Sequence, residues 1–296
     1  MRADVLKISD RLVMRSRTRF AFLRLGALTT LSMSVLVLGA CVKEPVEWRG
    51  DARQIVMPTL GEDLSVPPAP NAHLVLREDG SPVLESLVAS ATSPADTAAC
   101  PGSLRTAAMS ATELYSVWWS RRSAGRAALV SARSDDAGGT WTPAVPVDTT
   151  DRGANSCSRP APAIAADAKS GYVHVTYFLN STGGPGVFFA HSMERGELFH
   201  APVPIMYGER PSATAVAAAD SMVIVAFEDP NSERSQIALA MSRTWGHIFT
   251  PERPEASSGT PEAERPLIAL RKQLVAVGWH GTDRSVVARV GILKMN

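Results

Sequence analysis

Short apolar runs separated by turn residues fill the chain from about residue 105, and they recur in sets of three. The first run of each set is built of small residues and follows an arginine. TAAMSA follows Arg105, PAPAIAA follows Arg159, PSATAVAAA follows Arg210 and PLIAL follows Arg265, at arginine spacings of 54, 51 and 55 residues. The second runs are LYSVWW, YVHVTYF, MVIVAFE and LVAVGWH; the third are AALVSARS, GVFFAHS, SQIALAMS and SVVARVGI. Period-two alternation, β-branched residues and flanking turn signals predict strands. After the N-terminal segment no stretch carries a helical stripe, so the pattern predicts an all-β fold repeating about every fifty residues.

The N-terminus follows a different pattern. Seven basic residues (Arg2, Lys7, Arg11, Arg15, Arg17, Arg19, Arg24) precede an uncharged apolar stretch of sixteen, Leu25 to Ala40. A basic block, a short apolar core and small residues describe a secretory signal peptide, and the core is shorter than the roughly 20 residues of a spanning helix. Leu38-Gly39-Ala40-Cys41 resembles the bacterial lipobox, which implies acylation of Cys41 and attachment to a membrane. The expected organisation is a signal peptide over 1–40, with lipobox 38–41, then a lipidated tether over 41–68 and a folded domain over 69–296. Met14 is an alternative start. Acyl chains at ~0.8 kcal/mol per buried CH₂ hold a domain on a bilayer. The expected location is the bacterial cell envelope, on the outer membrane where two membranes exist.

Charge changes once the leader is set aside. The whole chain has 30 basic and 29 acidic groups; the leader takes seven basic groups and two acidic ones (Asp4, Asp10), leaving 23 against 27. A mildly acidic domain argues against nucleic acid as a partner. Three cysteines without a C-x-x-C pair, and six histidines without ligand spacing, predict neither a metal site nor a cofactor.

Three octets share the phase of the repeat. Ser134-Asp135-Asp136-Ala137-Gly138-Gly139-Thr140-Trp141 reads S-x-D-x-G-x-T-W, Ser192–Phe199 keeps Ser, Gly and an aromatic, and Ser242–Phe249 does the same. The first resembles the Asp-box, or BNR repeat, of sialidase-like β-propellers. The resemblance covers about residues 69–296 and implies a propeller of about five (four to six) four-stranded blades. In that family the box turns between the third and fourth strands, which gives Ser134, Asp136, Gly138 and Trp141 a structural role. The last copy stops after its third strand, and a segment such as Gln54-Ile55-Val56-Met57 is placed to close the ring.

Blade geometry puts the strand-one arginines on the face opposite the boxes. Arg105, Arg159, Arg210 and Arg265, with Trp119 and Trp279, form the expected ligand surface, since each guanidinium offers a fixed fork of donors to a carboxylate or phosphate. The alternative is that these arginines pair with neighbours such as Glu209 and Glu264 and join adjacent blades. The expected activity is non-catalytic binding of an anionic glycan, peptide or envelope protein; a divergent exo-sialidase is the alternative. Sialidases use a tyrosine nucleophile with a glutamate; no tyrosine follows Tyr207 here, and Glu228 is the one weak catalytic candidate. Cys100 and Cys157 each lie just upstream of a strand-one arginine, so they form either a disulfide on that face or two separate buried thiols.

Overall fold

The computed structural model describes residues 44–55, 72–86, 92–250, 252–257, 264–280 and 285–294. Within them the chain runs as strands, with two single-turn 3-10 segments and no α-helix. β1 (Val46–Trp48) and β2 (Arg53–Gln54) come first, followed by a hairpin sheet of β3 (Ala72–Leu76) and β4 (Pro82–Ser86). The first large sheet is β5 (Arg105–Ala108), β6 (Leu114–Arg121), β7 (Ala127–Ser134) and β8 (Val145–Asp148). The second is β9 (Ala163–Asp167), β10 (Tyr172–Ser181), β11 (Gly184–Ser192) and β12 (Val203–Tyr207). The third is β13 (Thr214–Ala219), β14 (Met222–Glu228) and β15 (Ile237–Ser242), with isolated bridges from Ala238 to Glu255 and from Ser242 to Phe249 at its outer edge. The fourth is β16 (Glu264–Arg271), β17 (Leu274–His280) and β18 (Val286–Leu293). All pairings are antiparallel, so short turns suffice to connect neighbours.

The outer edge of the fourth sheet is covered by the N-terminal strands. Val46 lies opposite Leu293, Trp48 opposite Gly291 and Gln54 opposite Val287, and Ile55 N–H donates to the Val286 carbonyl at 2.8 Å. Pairing removes an unpaired edge that would otherwise template association. It begins at Val46, upstream of the segment expected to close the last sheet, and Val56 and Met57 lie outside the described residues. Within the stretch expected as a tether over 41–68, Val46–Trp48 and Arg53–Gln54 pair with the fourth sheet. The leader, the lipobox and Cys41 also lie outside the described residues. Among the described residues no helix is long and apolar enough to cross a membrane.

The first strands of the sheets lie side by side in the order β5, β9, β13, β16, β3. Successive sheets face each other across separate apolar layers. Tyr115, Trp119 and Leu129 meet Val173, Val175 and Tyr177 between the first and second sheets. Phe178, Val187 and Phe189 meet Val223, Val225 and Phe227 between the second and third. Ile224, Ile237 and Leu239 meet Val275, Val277 and Trp279 between the third and fourth, and Leu74, Leu76 and Leu84 meet Ala269, Ala276 and Val286 beyond that. Each inner strand is thus buried on both faces, which explains why YVHVTYF and MVIVAFE are almost unbroken apolar runs. At about 25 cal/mol per Å² of apolar surface, these layers are the main drive for folding.

The three octets form one kind of turn. Ser134 Oγ accepts from Gly138 N–H at 2.8 Å, Ser192 Oγ from Gly196 at 2.9 Å and Ser242 Oγ from Gly246 at 3.0 Å. Asp136 accepts from the Thr140 N–H at 2.8 Å and its hydroxyl at 2.7 Å; bonds from the Thr140 backbone, the Thr140 side chain and Ser134 hold its pKa at about 2. In the third octet Thr244 takes the place of the aspartate, its hydroxyl accepting from Ile248 N–H at 3.0 Å. The closing aromatics point inward: Phe199 is buried, and Phe249 meets Phe189 edge-on at 5.0 Å. Gly246 has φ +87°, and a Cβ there would overlap the edge of the Phe189 ring. Gly246→Ala combines an unfavourable backbone with overpacking and is expected to cost about 2–3 kcal/mol. Gly50→Ala, at φ +74° but with nothing within 4 Å, isolates the backbone part. Urea midpoints of the two variants check the difference.

Candidate functional site

The four arginines that recur in the sequence lie at corresponding places but have unlike surroundings. Arg159 is built into the protein. Its guanidinium pairs with Asp151 and donates to the Asn155 and Gly153 carbonyls at 2.8 Å each; the two charged side chains are 7% and 0% exposed. Arg210 donates to the Asp229 carbonyl at 2.6 Å. Arg105, half-buried at the start of β5, bonds the carbonyls of Gly102 at 2.9 Å and Leu104 at 2.7 Å. Arg265, second residue of β16, is exposed, with φ +49°, and its backbone N–H is bound by the Glu228 carboxylate at 2.7 Å. Neither Glu209 nor Glu264 forms an ion pair with these arginines among the described residues. Arg159, read as a ligand contact, is instead held within the connection from β8 to β9.

Arg105 and Arg265 belong to one electrostatic group. Burial, then repulsion from Arg265, lowers the pKa of Arg105. His280 at the end of β17 is held below its ordinary value by burial and by Arg265, and His73 by burial and by Arg105. His73 is the second residue of β3, on the strand beside β16, where Arg265 is the second residue. The His73 Nε2 is buried without a hydrogen-bond partner. Spacing searches for arginine miss it; counting back from the apolar run HLVL would have found it.

The expected aromatic platform is corrected. Trp119 and Trp279 are both 0% exposed. Trp119 donates from Nε1 to the Pro160 carbonyl at 2.8 Å and meets Tyr177 edge-on, so it fills the layer between two sheets. Trp279 belongs to the layer between the third and fourth sheets. Glu228 uses both carboxylate oxygens on backbone, accepting from Arg265 N–H at 2.7 Å and Ala213 N–H at 3.2 Å. The tyrosines that bond carboxylates are Tyr115, to Glu113, and Tyr177, to Asp148; both are fully buried, out of reach of a substrate. Cys100 and Cys157 form a disulfide with Cα atoms 5.0 Å apart, linking the segment ahead of β5 to that ahead of β9.

At the octet end the structure gathers four of the six histidines, a cluster no metal-ligand spacing announces. His191 lies 4.7 Å from His200, 4.6 Å from His247 and 6.4 Å from His174, ring centre to ring centre. Among the described residues no group of three or more His, Cys, Asp or Glu is arranged to hold a metal ion. Both nitrogens of His174 and Nε2 of His191 are buried without partners. Burial, then repulsion from His191, lowers the pKa of His174 to about 3, against a weaker upward pull from Asp167. Burial, then His247 and His200, lowers that of His191 to about 4. Both folded values lie below the unfolded value of about 6.5, so the unfolded chain binds more protons in acid. The stability these neutral rings hold is complete above pH 6.5 and is lost as pH falls toward their folded values. For His174 alone the loss at pH 5 is about 2 kcal/mol. Urea unfolding at pH 7.5 and pH 5 is expected to show it, and His174→Leu to flatten the slope.

No protein-family model matches the chain, and no curated protein is similar to it. Similar solved structures include a Hadza microbial sialidase, at 15% identity and a TM-score of 0.47 over 63% of this chain and 43% of that one. The NanB sialidase from Streptococcus pneumoniae is 11% identical, with a TM-score of 0.42 over 62% and 48%. A family 117 glycoside hydrolase from the marine bacterium Zobellia galactanivorans is 12% identical, with a TM-score of 0.41 over 72% and 68%. The chain spans about half the length of the first of these structures.

Proposed function

We propose that the five sheets close as blades of one propeller and that the ring is an envelope-anchored binding module for anionic ligands. The order of the first strands and the apolar layers between successive sheets support the ring. Anchoring rests on the lipobox and Cys41, and the binding role is the chain's own reading, without a catalytic step. One observation carries it: the Arg105 and Arg265 guanidinium groups repel one another beside the imidazoles of His73 and His280, which they help to keep neutral, and Glu228, already bonded to two backbone N–H groups, does not neutralise them by direct pairing. A carboxylate, sulfate or phosphate brought there gains charge-assisted hydrogen bonds from groups that repel one another without it. An acidic sugar, an acidic peptide segment and an envelope partner share that chemistry.

Charge reversal separates the arginines. Arg265→Glu, at an exposed side chain, is expected to leave the fold intact and weaken binding of N-acetylneuraminate or inorganic phosphate about tenfold or more, which is ~1.4 kcal/mol. Binding of neutral N-acetylglucosamine serves as control. Calorimetry that shows the same affinity in wild type, Arg265→Glu and Arg105→Glu would sink the proposal.

A further inference from the structure

Large apolar side chains left in water are few, and they are not scattered. Of the five exposed among the described residues, four lie on two neighbouring octets: Met193 (43% exposed) and Leu198 (60%) on the second, Trp245 (37%) and Ile248 (69%) on the third. The contact between His191 and His247 puts the two turns side by side. The first octet shows what they replaced. Its seventh position is Thr140, bonded to Asp136; the seventh positions of the other two are Leu198 and Ile248, which face solvent. Exposed apolar side chains gathered on adjoining turns point to an interaction surface.

The same end receives the start of the folded chain. Lys294 N–H donates to the Pro45 carbonyl at 3.0 Å, and Arg243, second residue of the third octet, donates to the Lys294 carbonyl at 2.5 Å. Pro45 and the third octet are thus joined through one residue. Cys41 precedes Pro45 by four residues, a span of at most about 14 Å at full extension. Val46–Trp48, which follow at once, are held in the fourth sheet.

We propose that the octet end of the second and third sheets seats on the lipid bilayer, with Leu198, Trp245 and Ile248 entering the headgroup–acyl boundary and the arginine-bearing end turned away. This rests on the reading of Cys41 as the lipid-bearing residue. A short leash from an inserted acyl group brings this end to the surface, and a tryptophan flanked by aliphatic tips suits the interface, where one part of the ring is apolar and the indole N–H stays wet. The arrangement leaves Arg105 and Arg265 facing ligands from the aqueous side.

The test uses the lipid-modified full chain in phosphatidylethanolamine–phosphatidylglycerol vesicles whose acyl chains are brominated or not. Tryptophan emission is expected to fall in the brominated vesicles, the difference to disappear in Trp245→Phe, and Ile248→Trp in that background to restore it. A chain that floats with the vesicles but shows no quenching from Trp245 or from a tryptophan at 248 overturns the orientation and leaves the anchor standing. A chain that does not float overturns the anchor, and the orientation with it.

Discussion

Replacing Asp151 with alanine is expected to cost about 3–5 kcal/mol, the range for removing one partner of a buried ion pair. Asp151 is 0% exposed and holds three donors: the Arg159 guanidinium, the Ala127 N–H at 2.9 Å and the Gly153 N–H at 3.3 Å. Alanine leaves a guanidinium buried against carbonyl oxygens alone and orphans the N–H that opens β7. The pair itself need not be strongly stabilising, since desolvation offsets most of its attraction. The double variant Asp151→Ala/Arg159→Met is therefore expected to be more stable than Asp151→Ala. Urea unfolding measures both; a loss below about 1 kcal/mol for the single variant would show that the guanidinium finds water, contrary to its burial.

That contrast between Arg159 and Arg265 marks where the sequence stops being informative. Both follow the same spacing and both precede proline, yet one is held within a connection and the other is exposed. The difference lies in Asp151, which sits in the connection from β8 to β9 and belongs to no repeating pattern. Strands were legible because a pleated chain displays its period directly, and the octets because a serine, a glycine and an aromatic at fixed offsets build one turn. Thr244 shows how far such a turn drifts: a hydroxyl four residues before Ile248 does the work of the carboxylate four residues before Thr140. The fates of Trp119 and Trp279 were not legible, because alternation distinguishes core from solvent only when one face of a sheet is wet. Here inner strands are covered on both faces, so the end of an apolar run carries no signal of exposure. His191 and His200 meet across the second octet, where the His200 N–H donates to the His191 carbonyl at 2.9 Å, while His247 joins them from the third sheet, a contact no local spacing encodes.

The two ends of the sheets differ in a way the residues explain. At the strand-one end, the Arg105 and Arg265 guanidinium groups keep like charge together beside imidazoles held neutral, at a cost in stability. At the octet end, the second and third turns have exchanged the polar lock of the first for aliphatic tips. Both departures run against folding alone, and they lie at opposite ends of the same strands.

The last expectation concerns the joint between the first and second sheets. Breaking the Cys100–Cys157 bridge, by Cys100→Ser/Cys157→Ser, opens a loop with a sequence separation of 57 residues. On the chain-entropy model this removes about 4 kcal/mol, mainly by freeing the unfolded chain. The joint itself should survive, because Tyr177 still donates to Asp148 at 2.7 Å, Trp119 to the Pro160 carbonyl at 2.8 Å, and Arg159 still pairs with Asp151. That predicts a signature distinct from Asp151→Ala. Without the bridge the unfolded ensemble expands, so the urea m-value should rise as the midpoint falls. Asp151→Ala acts on the native state and should lower the midpoint at constant m. A bridge-free protein with unchanged m and less than about 1 kcal/mol lost would mean that the cross-link restrains the unfolded chain hardly at all. The stability assigned to it would then belong to the ion pair and the two aromatic hydrogen bonds beside it.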